Sequence, residues 1–154
     1  MIDLFTSIEG TALATWARES PSMWAYPTIS TLHTVGLAIV VGASTVVNFR
    51  LLGFAAGIPL ATLRSLFPIL WAGFAVNFVS GSLLFMADAT TKSGQRVFHI
   101  KLACIVLALI LARLIAKRLP QEHETVPPNL RTLAVLSLFL WTGAIVAGRL
   151  MAYL

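Results

Sequence analysis

The chain has 154 residues, 58% of them hydrophobic and only 11% charged, with a formal net charge of +5 and a mean hydropathy of +0.87. A soluble globular domain carries about 25% charged residues, so the composition excludes that class and points to a one-domain integral membrane protein. The basic excess belongs at the flanks of membrane segments, where Lys and Arg set topology; no basic run interleaved with aromatics supports a nucleic-acid partner.

Residues 1–18 place Ile2, Phe5, Ile8, Ala12 and Trp16 at helical spacing, with Asp3, Glu9 and Arg18 outside that stripe. The pattern predicts an amphipathic helix lying in the membrane interface. Acids stand where a signal peptide needs a basic segment, so no cleavable leader is expected. "SPSMWAYP", 20–27, reads as a turn carrying Trp24 and Tyr26 at headgroup depth. Residues 1–26 are thus an interfacial unit and 27–154 a transmembrane domain.

A spanning helix needs about 20 mostly apolar residues. Four segments qualify, about 28–51, 66–87, 97–116 and 132–152. Pro27, Pro68 and the Pro127–Pro128 pair then fall before or within first turns, where proline is tolerated. "IPLATLRSL" is expected as a separate interfacial turn of helix before the second span. "LPQEHETVPPN", 119–129, is the polar linker, and its His123, between two glutamates, reads as a solvated loop residue. The lone Cys104, within the third span, reads as a small packing hydrophobe. The expected fold is all-α: a four-helix transmembrane bundle, up-down-up-down, with an N-terminal amphipathic interfacial helix.

Orientation follows from the basic residues. Arg50, Arg64, Arg113, Lys117, Arg118 and Arg131 mark one end, against Arg18, Lys92 and Arg96 at the other, with Lys101 and Arg149 embedded near it. The excess predicts both termini outside, periplasmic for a bacterial inner-membrane protein.

Each span contributes an ionisable residue to the outer end: His33, Asp88, His99 with Lys101, and Arg149. Such residues are costly in a bilayer and mark function by default, although the stems of Lys101 and Arg149 can also simply snorkel to the interface. Ser30, His33, Ser44 and Asn48 share a narrow arc of the first span, and Gly73, Asn77, Ser80, Gly81 and Asp88 a comparable face of the second. Both faces should turn inward, which helix packing alone requires.

His33 and His99 lie in the same leaflet on parallel spans, an arrangement that invites haem b between two imidazoles, with Lys101 and Arg149 on its propionates. Copper is the alternative, since imidazole and the thioethers of Met23, Met86 and Met151 suit Cu(I). His99 and Lys101 are two residues apart, about 200° around a helix, so both cannot face one spot. The short His99 is expected to face the site and the long Lys101 to curl outward.

"STLHTVGLAIVVGASTVVNFRLLG", "WAGFAVNFVSGSLLFMADA", "FHIKL" and "GRLMAYL" resemble an uncharacterised bacterial family of small four-helix membrane proteins. A more distant likeness is to CopD-type copper-resistance proteins and HemJ-type protoporphyrinogen oxidases. His33 with Arg50-Leu51, and His99-Ile100-Lys101-Leu102, are similar to motifs of the HemJ-type proteins, which implies haem b. Members of the uncharacterised family commonly have glutamate at the position of Ser30 and no histidine at that of His99. The resemblance therefore carries over His33 and Lys101. Three functions remain open: a haem-b redox protein, a copper-handling protein, and a non-catalytic accessory subunit docking a periplasmic or membrane partner. No nucleophile–base pair or nucleotide loop supports hydrolysis or phosphoryl transfer.

Overall fold

The structure is a computed structural model and describes residues 2–22, 24–120 and 125–153. Four helices are long and apolar enough to cross a membrane, and they make the chain a multi-pass membrane protein. In chain order the helices are α1 (Ile2–Glu9), α2 (Ala12–Glu19), α3 (Tyr26–Leu52), α4 (Leu60–Met86), α5 (Ala89–Gly94), α6 (Arg96–Arg118) and α7 (Pro128–Leu150). The spans are α3, α4, α6 and α7, and the all-α four-helix bundle is as expected.

The N-terminal segment departs from expectation. It is two short helices, because Gly10 breaks the first and Thr11 caps the second, its hydroxyl accepting from the Ala14 N–H at 3.4 Å. The break changes the helical phase. α2 buries Ala14 and Ala17 and leaves Trp16 half-exposed, so the 1–18 stripe is not continuous. α1 packs on α5 and α2 on α4, forming a strap across one end of the bundle.

The second span begins at Leu60, six residues before the expected boundary. Pro59 occupies the N-cap position, and Leu60, Leu63 and Phe67 are buried. That burial holds the "IPLATLRSL" turn in line with the span. Pro68 is consequently inside the helix, two turns beyond the position where a missing N–H is harmless. The fourth span likewise starts early, with Pro128 in its first turn.

Antiparallel neighbours are fixed by polar contacts. Asn77 Nδ2, late in α4, donates to the His33 carbonyl, early in α3, at 2.8 Å. Asn48 Nδ2, late in α3, donates to Ser137 Oγ, early in α7, at 3.0 Å. Small residues let these helices close: a Cβ on Gly36 would stand 2.8 Å from the Asn77 nitrogen. The inward polar faces of the first two spans are as expected, with Ser44, Asn48, Gly73 and Ser80 buried.

Backbones approach between α3 and α4, α3 and α7, and α6 and α7. α4 and α6 are the loose pair. They meet through long side chains: the Arg113 guanidinium lies 4.8 Å from the Trp71 ring, and Phe85 stacks on Phe98 at 5.2 Å. The apolar core fills the loop end, around Leu51, Leu63, Ile115 and Leu130, and the middle, around Leu70, Ala108 and Trp141. Under the strap a smaller core of Ala17, Ile29 and Ala87 packs on one side, and a cavity opens beside it.

Candidate functional site

His33 stands two turns into α3 and faces α4. Its Nδ1 lies 3.1 Å from the Asn77 carbonyl oxygen and 3.2 Å from Ser80 Oγ. A carbonyl can only accept, so Nδ1 carries the proton and donates it. With the Asn77 amide returning a bond to the His33 carbonyl, the two residues clasp α3 to α4 from both sides. Nε2 keeps its lone pair, and no described residue bonds to it. The ring fits because residue 81 is glycine: a Cβ there would lie 2.9 Å from His33 Cε1.

Lys101, one turn into α6, extends towards α7. Its stem packs on Gly148, where a Cβ would lie 3.5 Å from Cε and 3.6 Å from Nζ. Among the described residues no carboxylate pairs with it, the ion pairs there being Arg18–Glu19 and Lys92–Asp88.

Two cavities meet at these side chains. The end cavity, about 530 Å³, lies beneath the strap and carries Glu9, Arg18, Asp88 and Lys92 on its walls. The seam cavity, about 580 Å³, runs between α4 and α6 and is walled mainly by Phe74, Phe78, Ile105, Val106 and Leu109. Both are bounded by His33, Gly81, Phe85, Phe98 and Lys101. Phe74 lies on the seam wall, and its ring packs edge-on against Trp71 at 6.0 Å, beneath which Arg113 closes the bundle.

The strap is tied down by polar contacts. Glu9 Oε1 accepts from Thr90 Oγ1 at 2.6 Å and from the Thr90 N–H at 2.7 Å. Those bonds, the hydroxyl's first, hold the Glu9 carboxyl below its ordinary range. Arg18 donates to the Ala87 carbonyl at 3.5 Å and pairs with Glu19 at 2.9 Å.

Of the residues singled out in the sequence, His33, Lys101 and Asp88 line these cavities. His99 and Arg149 do not. His99 is exposed on the outer face of α6, its Nδ1 3.1 Å from the Gln95 carbonyl of its own helix. Arg149 is exposed, with its guanidinium 5.6 Å from the Tyr153 ring. The expected roles of His99 and Lys101 are therefore exchanged. Only one of two residues 200° apart can face inward, and Lys101 is the one opposite the small Gly148. The His33–His99 pair is not assembled. Met86 lines the seam and Met151 the end cavity, while Met23 and His123 lie outside the described residues. Among the described residues no three of His, Cys, Asp and Glu cluster as a metal site would require. For haem, the residues on the walls that would hold it are His33, Met151 and Lys101.

Gly148, Thr90 and the Phe85–Phe98 stack escaped the sequence reading. Gly81 was visible there only as a packing residue. Its place four residues beyond Asn77, on the face turned to His33, was the available signal.

Fold and site together define a multi-pass membrane protein with a lateral cavity ending on a histidine and a lysine. The chain matches no family model, no curated protein and no solved structure.

Proposed function

We propose that the chain is a haem-b-binding electron-transfer protein of a bacterial inner membrane, with both termini and the strap on the periplasmic side. The observation that carries this reading is the state of His33. Its Nδ1–H is spent on the Asn77 carbonyl, which fixes the tautomer and orientation that a metal-ligating histidine needs and leaves Nε2 free. Met151, on the same end cavity, would offer a thioether to the iron, a ligand that raises the potential in electron-transfer cytochromes. Lys101 would hold a propionate. Bound there, haem supplies one-electron chemistry between ferric and ferrous iron. The likeness of the His33 and Lys101 motifs to HemJ-type proteins supports the same reading, and the Lys/Arg excess at the loop end supports the orientation.

Copper is a second reading, favoured by Met86 and Met151 standing on the two cavities that His33 borders. Purification from cells supplied with haem precursor separates the two. The haem reading expects a Soret band that His33→Ala abolishes, Met151→Leu shifts and His99→Ala leaves unchanged. Colourless protein with stoichiometric copper replaces haem by copper. Colourless, metal-free protein sinks both and leaves an accessory subunit that docks a partner through its strap end.

A further inference from the structure

We propose that the seam between α4 and α6 is a lateral binding site for a long-chain carboxylate of the bilayer, its apolar body lying between the two helices and its head group neutralising Lys101. This goes beyond the haem reading and rests on neither iron nor the Nε2 of His33.

The first argument is shape. The seam cavity lies where the bundle's backbones fail to close, so it faces lipid rather than the bundle interior. Its walls run from Phe74 to Met86 on α4 and from Phe98 to Leu109 on α6. These stretches, at 1.5 Å per residue, are about 16–18 Å of helix. That is a long, narrow, greasy slot, which suits a chain. A slot of about 580 Å³ with an apolar lining gains dispersion contacts from an acyl chain laid along it.

The second argument is charge. Where the slot meets the end cavity stands the Lys101 ammonium, with no carboxylate among the described residues paired to it. An unpaired charge there is costly, and an anion delivered by the ligand removes that cost. The head-group chemistry follows from the other charges around the junction. Lys92 is met by Asp88 at 3.4 Å, Arg18 by Glu19, and one oxygen of Glu9, Oε1, is bonded to Thr90. Of the three cations at the junction, Lys92, Arg18 and Lys101, only Lys101 has no ion-pair partner among the described residues. It matches one negative charge, and the carboxylates of Asp88 and Glu9 on the adjoining walls repel a head that carries two. A carboxylate meets that requirement and a phosphate monoester does not.

The third argument is closure. α1 lies over the upper end of the slot, where Ile8 joins its wall and Phe5 meets Phe85 edge-on at 6.2 Å. α1 therefore roofs the slot at its strap end, while the head group at Lys101 borders the polar end cavity.

The test uses the full chain in neutral detergent and 9,10-dibromostearate, whose bromines quench tryptophan fluorescence at short range. Trp71 packs against Phe74 of the slot wall and reports occupancy. The expected result is saturable quenching by the acid and only weak, unsaturated quenching by its methyl ester. Lys101→Gln should raise the half-saturation concentration at least tenfold, about 1.4 kcal/mol, while Lys101→Arg stays close to wild type. Equal quenching by acid and ester overturns the proposal, and that comparison needs no variant, so it stands even if Lys101→Gln misfolds. A folded Lys101→Gln protein that binds the acid as tightly as wild type also overturns it. Haem forms the last arm. If haem displaces the acid and gives a Soret band, both readings stand on one ammonium. If haem gives no Soret band while the acid still saturates, the haem reading falls and the carboxylate site remains.

Discussion

At the scale of residues, the clasp between His33 and Asn77 does two things at once. It ties α3 to α4, and it fixes which imidazole nitrogen faces the cavity. Asn77→Leu removes the amide's bond to the His33 carbonyl while keeping the Asn77 backbone oxygen that holds Nδ1. The expected cost is about 0.6 kcal/mol, the average for an interhelical hydrogen bond in a membrane, read from equilibrium unfolding in mixed micelles. Unchanged stability would show that the amide contributes nothing. Gly81→Ala should cost more, because a Cβ 2.9 Å from His33 Cε1 must push the ring away from Asn77 and Ser80. Its diagnostic is a loss of ligand at His33 without loss of the fold. A variant that binds as wild type would mean the ring has room that the structure does not show.

At the scale of elements, the strap is held by a carboxylate, so its attachment depends on pH. The folded-state pKa of Glu9 is depressed from its ordinary 4.5. A depressed acid contributes stability that is fully present above the unfolded pKa and lost as pH falls through the folded one. The strap should therefore stay closed at neutral pH and release only in acid stronger than an ordinary carboxylate needs. Hydrogen exchange at the Thr90 amide reads this directly, since that N–H is bonded to Glu9. Protection should persist as pH falls to the ordinary 4.5 and drop only below it, beyond the intrinsic pH dependence of exchange. Glu9→Gln should lower it already at neutral pH. Thr90 protection that ignores both changes would show that the carboxylate is not the latch.

At the scale of the whole molecule, apolar packing is concentrated at the loop end and the cavities lie at the strap end. Orientation in the membrane decides which compartment the strap meets. With Cys104 replaced by alanine, a cysteine at Thr125 should resist a membrane-impermeant maleimide applied to intact spheroplasts, and one at Gly94 should react. The reverse pattern would turn the molecule over and place the histidine–lysine junction on the cytoplasmic side.

The number of spans, their approximate limits and the inward faces of the first two were legible along the chain. Each rests on a local quantity: apolar run length against bilayer thickness, and polar residues recurring at a helical period. The Ser44–Asn48 face and the Gly73–Asn77–Ser80 face are examples, readable because lipid tolerates no unpaired polar group on a helix surface. His33 and Lys101 were identifiable for the same reason. What each of them meets was not. Whether His99 or Lys101 turns inward depends on the rotation of α6 about its own axis, and that rotation is settled by contacts with α7, where Gly148 leaves room for a lysine stem. The start of α4 at Leu60 was hidden because Leu60, Leu63 and Phe67 share a buried cluster with residues such as Ile115 of α6 and Leu130 of α7, far away in sequence. The seam has no local signature at all. It exists because α4 and α6 are the one pair of neighbouring spans whose backbones do not close, and an unfilled contact between two helices is a property of the assembled bundle alone.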